Sequence, residues 1–138
     1  MWKRIITILE RKCKYMNIAL WIVAGLLAAV YLAAGSVKLL KPKEDLAEQM
    51  KWTKDVSART VHAIGLVEVA GALGVVLPGA LRVAVALVPV AAVGLALVQV
   101  GAAKTNLRHH EANHVPINIV LIAMAVFVAW GRFGPHPF

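Results

Sequence analysis

Between Ile18 and Val37 the chain runs for twenty residues without a charged side chain. As a helix rising 1.5 Å per residue, such a run reaches ~30 Å, the thickness of one bilayer hydrocarbon core. Three further runs of the same character follow, at about 61–77, 83–103 and 116–131, and Glu68 is the only acid inside any of them. The composition agrees, with 60% hydrophobic and 16% charged residues, against about 25% charged in a soluble domain. A soluble globule of 138 residues could not hide that much apolar surface. The expected fold is therefore an all-α membrane protein, with four transmembrane helices in an antiparallel bundle. One membrane domain is expected over 16–134, with a basic amphipathic tail at 1–15 and a short C-terminal tail at 135–138.

The segments between the spans have their own signals. In the tail, Trp2, Ile5, Ile6 and Leu9 recur at helical spacing among Lys3, Arg4, Arg11, Lys12 and Lys14, which predicts a short amphipathic helix on the membrane surface. Met16 is an alternative start that would leave this tail out. The first span has a basic flank and a small-residue stretch, Ala33-Ala34-Gly35, but its apolar run exceeds that of a cleaved signal peptide. In the polar connector 38–60, Pro42 can open a short interfacial helix with Lys43, Glu44 and Asp45 in its first turn. Leu46, Met50 and Trp52 are expected on its membrane side. Pro78-Gly79 is expected to turn the chain between the second and third spans, and Pro89 to kink the third. Pro116 suits the first turn of the fourth. Pro135 and Pro137 predict an unstructured interfacial tail.

Charge and cysteine content exclude several classes. The net charge of +8 comes from 15 Lys and Arg against 7 acids. These cations flank the apolar runs, where they meet lipid head groups. No basic face with interleaved aromatics exists, so nucleic acid is not an expected partner and membrane lipid is. Cys13 is the single cysteine, which rules out an internal disulfide or a cysteine-built zinc cluster. Alternating spans put the first connector and the His-rich loop 104–115 on one face, and both termini on the other. Lys and Arg divide seven to the terminal face and eight to the loop face. The five that precede the first span favour cytoplasmic termini, in what is expected to be a bacterial inner membrane.

Chemistry is expected near the loop face. An ionised carboxylate at mid-bilayer costs at least ~2.5 kcal/mol, so Glu68 should face the bundle, paired or protonated. Its helical neighbours Gly65, Gly71 and Ala72 let another helix approach. Lys38 ends the first span on the same face and is the expected partner. Tyr31, Gln99, His114 and Asn118 fall in the same half of the bundle, and His62 begins the second span. Residues such as Gln99 and Asn118 are more often hydrogen-bond partners between helices than contacts to a ligand. His109, His110, His114 and Glu111 have ligand chemistry for zinc or copper. Because His109 and His110 are adjacent and diverge on a regular element, no metal site is expected. There is also no P-loop, no GxGxxG, no CxxC and no CxxCH haem motif.

The quoted residues carry a resemblance. The first span ends Ala33-Ala34-Gly35-Ser36-Val37-Lys38-Leu39, the second reads Gly65-Leu66-Val67-Glu68-Val69-Ala70-Gly71-Ala72-Leu73-Gly74, and His110, Asn113 and Asn118 border the fourth. Over residues 17 to 131 this resembles the DoxX-like family of small four-helix membrane proteins, although the Met1–Tyr15 extension departs from it. The resemblance implies Lys38 and Glu68, with His110 and Asn118, as signature polar residues, and does not carry over an enzyme activity. Its name-giving relatives include a small membrane subunit of a thiosulfate:quinone oxidoreductase, and other members are linked to redox homeostasis or membrane-protein assembly. The expected function is a non-catalytic subunit or assembly factor of a membrane redox or stress-related system, acting on a partner membrane or redox protein. The chain's lack of a redox motif favours that reading. The alternatives are a subunit handling a quinone or small sulfur compound beside Glu68, and a proton or solute transporter working as a homo-oligomer.

Overall fold

The computed structural model describes residues 1–138 and is built from helices. Helix α1 spans Trp2–Leu40, α2 Lys43–Gln49, α3 Ala58–Leu81, α4 Leu87–Arg108 and α5 Val115–Phe133, with 3-10 turns at Lys51–Asp55 and Ala112–His114. The four long elements have the length and apolar composition to cross a membrane. They form an antiparallel ring in which α1 packs on α3, α3 on α4, α4 on α5 and α5 back on α1. Small residues dominate the shared core, with Ala24, Ala28, Ala72, Ala92 and Ala125 buried beside Leu27, Leu95 and Val128. The outer surface is apolar too, with Leu26, Leu66, Leu97 and Ile119 more than half exposed. A chain that is apolar inside and out is solvated by lipid rather than by water.

Two glycines set the closest helix crossing. A Cβ on Gly35 would lie 2.7 Å from Val69 Cγ2 and 2.8 Å from the Gly65 carbonyl oxygen. One on Gly65 would lie 3.0 Å from the Gly35 carbonyl oxygen and 3.1 Å from Lys38 Cβ. Backbone therefore meets backbone, as small residues permit in membrane bundles. Lys38 and Glu68, each three residues beyond one of these glycines, are carried into the same gap.

Several local expectations change in the folded chain. The tail is helical, but α1 continues through it with no break between residues 15 and 18, so it extends the axis of the first span instead of lying across it. No proline interrupts α1, and proline is the commonest cause of a sharp kink. Pro78 does not end the second span, because α3 runs on to Leu81. The reversal falls at Arg82 and Ala84, both with positive φ, and the Arg82 and Val83 amides close on the Gly79 and Pro78 carbonyls. A proline costs a helix one bond and some bending, and the flanking packing of α3 tolerates both. Pro89 is the third residue of α4. The first-turn amides of a helix have no partner inside it, so Pro89 removes no bond there and has no kink to cause.

The two ends of the bundle are closed differently. At the terminal end the tail expected to be unstructured is packed. The Arg132 guanidinium donates to Asn17 Oδ1 at 2.7 Å and to the His136 carbonyl at 3.1 Å. Its carbon lies 4.0 Å from the Phe138 ring centroid and 5.6 Å from that of Trp21. Phe138 also fills the space left by Gly79. The prolines do stop the helix, but the chain then folds back because a buried guanidinium needs acceptors and aromatic faces. At the loop end, the connector folds inward. Leu46 and Thr53 are fully buried by protein rather than facing lipid, Glu111 accepts the Lys51 amide at 3.3 Å, and His109 lies 3.2 Å from Asp55.

Candidate functional site

Under this folded connector lies a cavity of about 650 Å³, within the range of small-molecule sites. Its walls come from all four long helices, and Gln49, Met50 and Trp52 of the connector roof it. Most of the wall surface is apolar, and the buried polar side chains contributed by the four long helices form two groups.

The first group is the ion pair. Lys38 Nζ lies 2.8 Å from Glu68 Oε2, and both residues are 6% exposed. Each charge compensates the other, and together they add no net charge to the cavity. In a medium this apolar, either one alone would be heavily penalised. The second group is a hydrogen-bonded row across the bundle. Tyr31 Oη lies 3.1 Å from the Leu95 carbonyl oxygen and 3.0 Å from Gln99 Oε1. Gln99 Nε2 in turn donates to Asn118 Oδ1. Asn118 is 4% exposed, and its Nδ2 is a buried donor with no partner. Leaving such a donor unmade costs about 1–3 kcal/mol.

The structure therefore brings Tyr31, Lys38, Glu68, Gln99 and Asn118 into one cavity, with His114 at its exposed rim. It does not bring in His110, which is exposed with φ 58° in the loop after α4. His62 is also outside, its Nδ1 lying 2.7 Å from the Ala58 carbonyl of its own helix. The loop histidines diverge, with His109 turned to Asp55 and His110 to the surface. Glu111, Met50 and Trp52 reach the cavity although the sequence marks them only as loop and interface residues. The one available signal is Glu111, an acid among histidines, but its partner is a backbone amide sixty residues away.

The cavity has a lateral side. The polar contacts joining α1 to the end of α5 are at the terminal end, where Asn17 meets Arg132 and Leu20 fills the notch of Gly131. Toward the loop end Val30 and Ile117 line the cavity while remaining 41% and 50% exposed.

No curated protein and no solved structure matches the chain. A family model described as the DoxX-like family matches residues 22–128, from early in the first span to near the end of the fourth and across every wall of the cavity. The chain belongs to the DoxX-like family.

Proposed function

We propose that this DoxX-like membrane protein is a non-catalytic binding subunit, holding a small neutral amphipathic molecule between its helices for a partner membrane protein. The observation that carries this reading is the buried Asn118 side chain, which lines a largely apolar cavity and has one edge of its amide without a partner. A ligand with an oxygen head group would satisfy it, and an apolar body would follow Val30, Leu97 and Leu121 toward lipid. The Lys38–Glu68 pair is neutral overall and leaves neither of its charges free to pair with a charged ligand. The sequence contains no cysteine pair or haem motif, so electron transfer would involve a second protein or a bound group.

A quinone is the redox alternative, and the residues fit one. Asn118 would donate to a ring carbonyl, Tyr31 and Gln99 would hold that amide, and the quinone would supply the electron-accepting chemistry. We further propose a bacterial inner-membrane location with cytoplasmic termini, supported by the five cations before the first span. The test is purification in mild detergent, followed by mass spectrometry of co-purified small molecules and subunits. The expected result is an amphipathic molecule with the wild type that is lost from Asn118→Leu, together with a stoichiometric second protein. A wild-type protein that carries neither would refute the binding-subunit reading.

A further inference from the structure

The row of hydrogen bonds that ends at Asn118 has a property of its own. A primary amide is nearly symmetric in shape, with a donor on one side and an acceptor on the other. Turning the Gln99 and Asn118 amides over together keeps every contact and exchanges every role. In one arrangement Gln99 Oε1 faces the Tyr31 hydroxyl, which also faces the Leu95 carbonyl, so its single proton serves one of two acceptors. Asn118, which lines the cavity, then accepts from Gln99 and has its Nδ2 without a partner. In the other arrangement Tyr31 donates to the Leu95 carbonyl and accepts from Gln99 Nε2. Gln99 Oε1 accepts from Asn118 Nδ2, and the free atom at the wall is Asn118 Oδ1. The first arrangement offers the cavity a donor but leaves two acceptors contending for one proton. The second leaves only Asn118 Oδ1 without a partner and offers an acceptor.

We propose that the Tyr31–Gln99–Asn118 row is a polarity-reversible recognition element, through which one cavity binds both the carbonyl and the hydroxyl form of a neutral amphipathic ligand. A carbonyl selects the donor arrangement and a hydroxyl the acceptor arrangement, each by its differential affinity for the two states. Three features support this. The row is anchored at its far end by a backbone carbonyl, which cannot turn. Tyr31 is fully buried, so water does not compete for its hydroxyl. The nearby charges of Lys38 and Glu68 are paired with each other and leave the amides free to follow the ligand.

The inference rests on the binding reading above, and the experiment separates the two. Benzophenone and benzhydrol are a matched carbonyl and hydroxyl pair of nearly equal size and apolarity. Their dissociation constants for the purified full chain in lipid nanodiscs are measured for wild type and Asn118→Leu. Both should bind the wild type with constants within about threefold, and Asn118→Leu should weaken both by about tenfold, the size of one lost hydrogen bond. Wild-type protein alone supplies a second measurement, since the side-chain amide resonances of Gln99 and Asn118 should move differently with the two ligands. A tenfold or greater preference for one ligand, identical amide shifts, or indifference to Asn118→Leu would overturn reversibility while leaving the cavity a binding site. Failure of both ligands to bind would overturn the binding reading and the inference together.

Discussion

Lys38 and Glu68 stand where neither charge would be stable alone. Because they are in contact and buried, removing one partner strands the other, whereas removing both strands nothing. We expect Lys38→Met and Glu68→Gln each to destabilise the protein by about 3 kcal/mol. The double variant should lose clearly less than the two losses added together, as read by thermal unfolding in detergent, and strictly additive losses would show that the two residues do not interact. This meeting was open to a reading of the sequence, because both residues lie near the loop face of adjacent spans and Gly65 marks a stripe of close approach. Glu111 was not, since its position depends on the Lys51 amide of a distant, irregular connector. His110 shows the opposite failure. It has suitable chemistry and a suitable address, but its left-handed backbone turns it out of the cavity.

At the scale of elements, apolar runs locate helices well because burying backbone in lipid requires every polar group to be bonded within the segment. Their ends are harder to place, since local signals can be overruled by packing. Pro78 has the sequence of a turn and the structure of a helix. The C-terminal residues are the clearest case, for their order depends on Asn17 and Trp21 at the other end of the chain. Truncation after Gly134 removes the His136 carbonyl and the Phe138 ring from Arg132. It should lower stability by roughly 1–2 kcal/mol, seen as a reduced melting temperature in detergent, and Phe138→Ala should reproduce much of the effect. A truncated protein that melts with the wild type would show that this packing contributes nothing.

For the whole molecule, the alternating order of spans places Lys51 and His110 on one face and Cys13 on the other, all exposed. A membrane-impermeant thiol reagent applied to oriented membranes should therefore reach the native Cys13 from one side only. Lys51→Cys and His110→Cys, each made in a Cys13→Ser background, should react from the opposite side only. Labelling of positions 51 and 110 from different sides would break the four-span order. This order was legible from hydropathy alone, whereas the cavity was not, since it forms only when the connector folds over the four packed helices. The unbroken α1 has a mechanical meaning. Its basic segment, residues 1–15, continues the bundle axis as a stiff post ~22 Å tall. Its tip is thereby held at a set distance and rotation relative to Tyr31 and Lys38, which lie on the same helix. A pull on that post would be carried along one unbroken element to the cavity wall, as an axial load that a flexible segment would dissipate.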